Sequence, residues 1–285
     1  MSAVSPERIL QRLDWTVIRR LDGILQGDYR TLFPGFGLDL AELREYQFSD
    51  DVRYIDWNVT ARLQTPYVRQ YLEDREVNAW FLLDFSPSMD FGTVQTLKRS
   101  LLIDCVTVLA RLLTRNGNRV GAVMFDGMGV HIIPAGGGKN HVLRLIKDMH
   151  SLPPLKRAPP TDLAVLLETA FRTIRRRSLV FIVSDFISTP GWERVLGMLT
   201  RRHEVLAVHL YDPREVELPD IGPIIIEDAE TGEQLYLDTH DAGFRRRFAE
   251  TVRRWQYGLN GAFQRAAVDA LELSTEDDMV EQIVR

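Results

Sequence analysis

Three oxygen-bearing side chains follow a short apolar run at alternating positions. The run 77–83 is almost continuously hydrophobic, which is typical of a strand buried on both faces of a parallel sheet. It ends at Asp84, and Ser86 and Ser88 follow at steps of two. One carboxylate and two hydroxyls suit a hard cation that prefers oxygen ligands. The alternative interpretation is a Ser-Pro turn that caps the next helix.

Two later stretches favour the cation site. A second apolar run, 178–184, also ends at an acid, Asp185, and Thr161 precedes a predicted helix between the two runs. In a doubly wound sheet, the loops at the carboxyl ends of the strands converge. The sequence therefore predicts a site for a divalent cation, Mg²⁺ by preference and Mn²⁺ or Ca²⁺ as alternatives. Its predicted ligands are Asp84, Ser86, Ser88, Thr161 and Asp185.

Strands and helices alternate along most of the chain, which predicts an α/β fold with a doubly wound, mostly parallel sheet flanked by helices. The predicted strands are 77–83, 119–125, 130–133, 178–184 and 204–210, with a hairpin at 224–237. The predicted helices are 96–113, 141–149, 163–174, 192–200 and a long helix from Asp241 whose apolar face, from Phe244 to Ala266, packs on the sheet.

The N-terminal part has a different pattern. Residues 6–25 predict one or two amphipathic helices, and residues 43–76 alternate acids and arginines with large aromatics. We interpret 43–76 as an ordered arm that carboxylate–arginine pairs fix against the main domain. A catalytic carboxylate pair in the arm is the alternative, although neither a nucleophile nor a histidine lies nearby. The chain thus divides into an N-terminal segment and arm, 1–76, and an α/β domain, 77–285.

Composition narrows the classes of protein. The 285 residues, 45% of them hydrophobic, can bury one large core or two modest ones. The net charge of −5 and the lack of an RNA or DNA motif argue against a nucleic-acid binder, so we interpret arginine runs such as 175–177 as solvated helix ends. The N-terminus lacks a signal-peptide pattern and no apolar run reaches the roughly 20 residues of a membrane span. We therefore expect a cytoplasmic protein without a transmembrane segment, in which Cys105 is a small core residue.

The predicted ligand set resembles the metal-ion-dependent adhesion site (MIDAS) of von Willebrand factor A domains, where a carboxylate from the partner completes the coordination. The whole chain resembles a bacterial and archaeal branch of that superfamily, the family named domain of unknown function fifty-eight. The residues that carry this second resemblance are Arg44-Glu45-Tyr46, Asp50-Asp51-x-Arg53-x-Ile55-Asp56-Trp57 and Thr60-Ala61-Arg62. The chain departs from the family at Phe48-Ser49, where a glycine is usual, and at Pro159-Pro160, which replace the usual glycines before Thr161.

The resemblance implies a von Willebrand A-like, Rossmann-type fold and a non-enzymatic, metal-dependent protein-binding module. Its implied partners are a MoxR-type AAA+ ATPase and a client protein, in a chaperone-like role during assembly or maturation of other proteins. The alternative is a metal-dependent hydrolase or phosphatase. A haloacid-type phosphatase needs a second Asp at the position of Ser86, however, and no Gly-x-Ser-x-Gly elbow occurs. Gly136-Gly137-Gly138-Lys139 does not have the spacing of a phosphate-binding Walker loop.

Overall fold

The computed structural model describes residues 42–47, 52, 55–70, 78–93, 96–115, 117–155, 157–279 and 282. These residues belong to two compact units, one within 42–70 and one within 78–282. The helices predicted at 6–25 lie outside the described residues, as do Asp50, Asp51 and Arg53 of the arm.

The smaller unit is a strand pair with one helix between the strands. Strand β1 (Glu42–Glu45) pairs antiparallel with β2 (Tyr67–Gln70), and helix α1 spans Trp57–Leu63. The buried Asp56 precedes α1 and accepts a hydrogen bond from the backbone N–H of Val59 at 3.2 Å, as an N-cap residue does. This part of the arm is therefore regular secondary structure. Its attachment through carboxylate–arginine pairs stays a prediction.

The larger unit contains a six-stranded sheet in the order β10-β7-β6-β3-β4-β5. Its strands are β3 (Asn78–Asp84), β4 (Arg119–Phe125), β5 (Val130–Gly136), β6 (Leu179–Ser184), β7 (Glu204–Tyr211) and β10 (Asp269–Ser274). All neighbours are parallel except β4 and β5, so β5 is an antiparallel edge strand. The predicted mostly parallel sheet is confirmed. Strand β10 was not predicted, because Asp269 and Glu272 interrupt its apolar pattern, as is common at a sheet edge.

Helices cover both faces of this sheet, as predicted. On one face, α2 (Lys98–Arg115) contacts β3, β4 and β7, and α3 (Lys139–Ser151) packs on α2. On the other, Trp80 and Leu82 of β3 share a core with α4 (Leu163–Thr173), α5 (Trp192–Thr200) and α7 (Ala242–Ala266). A single turn, α6 (Pro213–Val216), follows β7. Within the described part of the chain, no helix has both the length and the apolar character to cross a membrane.

Two predicted helix faces differ in extent from those observed. The helix predicted from Thr96 begins at Lys98, which leaves Leu97 outside it and 40% exposed. The apolar face of α7 is fully buried only near its C-terminus, at Leu259 and Phe263, whereas Phe248 and Val252 are half-buried and the 37% exposed Trp255 has its ring 5.7 Å from that of His209. The predicted packing of this face is thus confirmed in the C-terminal turns and is looser in the turns before them.

The predicted hairpin at 224–237 is a separate two-stranded sheet. Strand β8 (Pro223–Glu227) pairs antiparallel with β9 (Gln234–Asp238), and residues 228–233 form the turn between them, called here the hairpin tip.

Candidate metal centre

Two buried aspartates lie at the carboxyl ends of neighbouring parallel strands. Asp84 is the last residue of β3, and Asp185 directly follows β6, which pairs with β3. Both side chains are buried, and the hydroxyl of Ser184 donates a hydrogen bond to Oδ2 of Asp84 at 2.7 Å. This position at the carboxyl edge results from two apolar runs that each end on an acid. The structure therefore brings these two predicted ligands together.

Within the described part of the chain, the hydrogen bonds to Asp84 come from neutral donors. Its Oδ1 accepts the backbone N–H of Ser86 at 2.9 Å, and its Oδ2 accepts the Ser184 hydroxyl. Burial, and then repulsion from Asp185, raises the pKa of Asp84 to about 6, although these hydrogen bonds act to lower it. No ion pair between described residues includes Asp84. Asp84 is thus a buried acid whose ionised form lacks a counter-charge in this part of the chain.

The two serines after Asp84 are spaced as ligands of one cation could be. Ser86 is buried and Ser88 half-buried, and their Oγ atoms are 3.1 Å apart. Neighbouring oxygens around an octahedral Mg²⁺ with bonds of about 2.1 Å are about 3 Å apart. Among the described residues, no three His, Cys, Asp or Glu side chains converge in a way that could hold a metal. The donor set therefore fits a hard cation held by few carboxylates, by hydroxyls and by water, as Mg²⁺ commonly is.

Asp185 has a different partner, a buried lysine that the sequence did not predict. Its Oδ1 accepts the N–H of Ile187 at 3.0 Å, and its Oδ2 accepts a hydrogen bond from Nζ of Lys98 at 2.8 Å. Nζ of Lys98 is also 2.6 Å from Oε1 of Glu215. Burial opposes the ammonium form, but Asp185 and Glu215 outweigh it, so the pKa of Lys98 lies above its ordinary value. Asp185 therefore already has a positively charged partner in the absence of a metal.

A sequence signal for Lys98 did exist. It is the first residue of α2 and lies three and four residues before Leu101 and Leu102, which are buried. A lysine in line with an apolar helical stripe is a candidate for a buried, paired charge. Glu215 carried no comparable signal, because it is positioned by the capping box that it forms with Asp212 at the start of α6.

Thr161 is buried beside the loop that follows Asp185. Its carbonyl oxygen accepts hydrogen bonds from the N–H of Thr189 at 2.9 Å and from the hydroxyl of Ser188 at 3.0 Å. The hydroxyl of Thr161 donates to Oε1 of Glu230 in the hairpin tip. Thr161 is therefore joined to the loop that follows Asp185, but its hydroxyl already has a carboxylate partner that the sequence did not predict. Its role as a ligand stays a prediction.

The chain turns sharply after Asp185 because Phe186 has a left-handed backbone conformation. Its φ is 57°, which costs a non-glycine residue roughly 1 kcal/mol or more. The buried ring of Phe186 packs edge-on against Phe263, with ring centroids 5.0 Å apart. It also packs against the tilted ring of Trp192, with centroids 5.6 Å apart. This packing holds the turn that places the N–H of Ile187 within reach of Asp185.

Four large apolar side chains are exposed around these residues, and we call them the apolar rim. They are Phe91 (37% exposed), Leu97 (40%), Met128 (70%) and Ile187 (46%).

Each rim residue neighbours a residue of the site. Ile187 bonds to Asp185, Leu97 precedes Lys98, and the ring of Phe91 lies 5.9 Å from Nζ of Lys98. Met128 follows Gly127, where a side chain would lie 3.1 Å from Cβ of Ala158 and 4.0 Å from Cα of Ser86. Gly127 also has a φ of +89°, so the close approach of these loops requires glycine. The polar centre is thus bordered by exposed apolar surface.

Comparisons with known proteins place the chain in a family. The model of the family described as "Protein of unknown function DUF58" matches residues 42–257. The uncharacterized protein Rv1480 of Mycobacterium tuberculosis is 37% identical over 276 residues, which cover 97% of this chain and 87% of that protein.

Two solved structures are similar at low sequence identity. The conserved hypothetical protein BatB of Bacteroides thetaiotaomicron has a TM-score of 0.46 and 15% identity, over 72% of this chain and 93% of its own. The SpRpn10 VWA domain has a TM-score of 0.44 and 10% identity, over 73% and 93%. The family match and the relative together confirm the predicted family, and this chain belongs to the DUF58 family of proteins of unknown function.

Proposed function

We propose that this protein is a metal-dependent protein-binding module without catalytic turnover of its own. The observation that carries the proposal is Asp84, a buried acid that lacks a counter-charge among the described residues and is followed at steps of two by the hydroxyls of Ser86 and Ser88. A divalent cation held by Asp84, Ser86 and Ser88 supplies that charge and attracts a further carboxylate at an open coordination position. Asp185, which is paired with Lys98, then adds a second negative charge near the cation.

The chemistry of this surface defines the partner that it fits. An acidic side chain on the partner would reach the cation, and apolar side chains around that acid would cover the rim. Burial of apolar surface contributes about 25 cal/mol per Å², so the rim adds affinity that the cation alone does not provide. By its resemblance to the family, we propose a MoxR-type AAA+ ATPase as this partner, in the assembly or maturation of client proteins.

The test is binding of the purified protein to the MoxR-type ATPase of the same organism, in Mg²⁺ and in EDTA. We expect binding in Mg²⁺ that EDTA abolishes and that Asp84→Asn loses. The matched control is Asp269→Asn, because Asp269 is an exposed aspartate at the amino end of β10, the opposite edge of the sheet. Equal affinity with and without metal would contradict the proposal.

The rim is tested separately from the metal. Ile187→Ser should weaken the complex by about 5- to 10-fold, since removal of one apolar contact costs roughly 1 kcal/mol. Met198→Ser is the control, because Met198 is 37% exposed but lies in the last turn of α5, away from the carboxyl edge. If both variants bind as the unaltered protein does, the rim is not part of the contact.

The hydrolase alternative has a direct assay. Ser86 and Ser88 are hydrogen-bonded to each other, and in the described part of the chain neither is bonded to a histidine that could activate it. We therefore expect no release of phosphate from phosphate esters or ATP by the pure protein in Mg²⁺. Hydrolysis that disappears in Asp84→Asn would establish the enzymatic alternative instead.

A further inference from the structure

Glu230 is hydrogen-bonded to the predicted ligand Thr161, although it is 69 residues beyond Thr161 in sequence. It belongs to the hairpin tip, and its carboxylate is bonded twice to Thr161. The backbone N–H of Thr161 donates to Oε2 at 3.0 Å, and the hydroxyl of Thr161 donates to Oε1. The carbonyl oxygen of Glu230 also accepts the N–H of Ala158 at 3.2 Å. The tip is thus docked on the loop that carries Thr161.

The hairpin tip holds its own shape. Oδ1 of Asp228 accepts hydrogen bonds from the N–H groups of Glu230 and Thr231 and from the Thr231 hydroxyl. Hydrogen bonds with Thr231 keep the pKa of Asp228 below its ordinary value, so this network persists at neutral pH. The backbone at Glu230 is therefore fixed from within the hairpin, and its carboxylate is presented to Thr161 from a preformed turn.

Two features separate this contact from an ordinary surface hydrogen bond. Thr161 is 1% exposed and Glu230 is half-buried, yet no ion pair between described residues includes Glu230. In addition, the hydroxyl of Thr161 donates its hydrogen to the Glu230 carboxylate. The remaining lone pairs of Oγ1 consequently point away from that carboxylate and stay available to a cation.

We propose that Glu230 is a positioning residue of the metal site: it orients the hydroxyl of Thr161 as a ligand and adds a carboxylate charge beside the cation. This inference rests on the proposed function, because it requires a divalent cation at Asp84. Outer carboxylates that hold metal ligands contribute 10- to 100-fold to metal affinity in known sites. The β8–β9 hairpin is then a part of the site and not only a surface projection.

The experiment is titration of the full chain with Mn²⁺ alone, followed by calorimetry or by the electron-spin signal of free Mn²⁺. Glu230→Gln, which keeps the shape but removes the charge, should weaken Mn²⁺ binding by about 10-fold or more. Glu233→Gln is the matched control in the same tip, since its side chain is exposed and no hydrogen bond of the described chain uses its carboxylate. It should bind Mn²⁺ as the unaltered protein does.

A double-mutant cycle tests whether Glu230 acts through Thr161. Thr161→Val removes the hydroxyl and keeps the backbone N–H. If Glu230 works by orienting that hydroxyl, Glu230→Gln should have a much smaller effect on Mn²⁺ affinity in the Thr161→Val background. Full additivity would overturn the positioning role, and the metal-free melting temperatures of all variants report any purely structural effect.

The remaining outcomes separate the two proposals. If the unaltered protein binds Mn²⁺ and Asp84→Asn does not, but Glu230→Gln binds equally well or more tightly, the inference about Glu230 is wrong and the proposed metal site stands. If the unaltered protein does not bind Mn²⁺, or Asp84→Asn binds it equally well, the proposed metal site is wrong, and so is the role of Glu230 in it.

Discussion

Asp84 and Asp185 are nearly identical in their local surroundings and differ in one contact. Asp84 ends a buried parallel strand, Asp185 directly follows another, and both side chains are buried. In each, Oδ1 accepts a hydrogen bond from the N–H of the residue two positions later, at 2.9 Å for Asp84 and 3.0 Å for Asp185. The difference lies at Oδ2. Asp84 receives a neutral hydroxyl there, from Ser184, whereas Asp185 receives the ammonium group of Lys98.

This difference shows that, among the described residues, Asp185 has a positively charged partner and Asp84 does not. A buried carboxylate is costly unless it is paired with a positive charge, coordinates a metal or becomes protonated. Asp185 has the first solution. Asp84 has no positively charged partner among the described residues, so its protonated form is favoured without a metal, and its pKa is raised to about 6.

Lys98→Met should have the largest effect, because it removes the positive charge that pairs with the buried Asp185 and the largely buried Glu215. We expect a loss of about 3–5 kcal/mol in the free energy of unfolding, as when one partner of a buried ion pair is removed. Urea unfolding at pH 7.5 measures this. Lys147→Met, at an exposed position of α3, should change the value by less than about 0.5 kcal/mol. A loss of similar size in both variants would show that Asp185 does not depend on Lys98.

Asp84→Asn should act in the opposite direction when metal is absent. In EDTA at pH 7.5 it removes a buried charge, and the pKa shift from 3.8 to about 6 sets a limit of roughly 3 kcal/mol on the gain in stability. In saturating Mg²⁺ the gain should disappear, because only the unaltered protein is stabilised by the ion. Thermal unfolding of both proteins in EDTA and in Mg²⁺ tests this. A loss of stability in EDTA would show that the Asp84 charge is already compensated.

The same carboxyl predicts a pH dependence with a definite sign. The folded-state pKa of Asp84 is raised, so between pH 4 and 6 the folded state holds this proton more tightly than the unfolded state does. Its contribution to stability is therefore largest below about pH 4 and is lost as pH rises through about 6. The difference in unfolding free energy between the unaltered protein and Asp84→Asn in EDTA isolates this contribution. A difference that does not vary from pH 4 to 7 would contradict the raised pKa.

Ser184→Ala should have an intermediate effect, since it removes a buried hydroxyl that donates to Asp84 and accepts the N–H of Phe186 at 2.8 Å. We expect a loss of about 1–3 kcal/mol in metal-free protein, because two buried groups lose a partner. Chemical denaturation measures it. Ser178→Ala, directly before the other end of the same strand, is the control, because Ser178 is also buried and its hydroxyl bonds, among the described residues, to the carbonyl oxygen of Arg176 and not to a buried charge.

Ser88→Ala should have the smallest effect on stability, within about 0.5 kcal/mol, because Ser88 is half-buried and its hydroxyl bonds to Ser86 alone among the described residues. Its effect should appear in Mn²⁺ affinity instead, as the loss of one neutral ligand, and should be smaller than that of Asp84→Asn. Unchanged Mn²⁺ affinity would remove Ser88 from the ligand set.

The amino-acid sequence by itself determined the framework of this protein. Apolar runs that end on Asp84 and Asp185 specify two buried strands with acids at one edge, because a fully buried parallel strand is continuously hydrophobic and its polar residues are confined to its ends. Helical periodicity specified most of α2 to α5, and the residues around Asp56 and Trp57 carried the family membership.

Tertiary structure alone decided how the two acids differ. The lysine that pairs with Asp185 is 87 residues away in sequence, and the glutamate that holds Thr161 is 69 residues away. Local patterns report which residues are buried, because burial follows the period of the element. They do not report which charged groups form pairs, because the pairs depend on how helix α2 and the hairpin tip pack against the rest of the folded chain. The compensated and the uncompensated aspartate are therefore indistinguishable until the chain is folded.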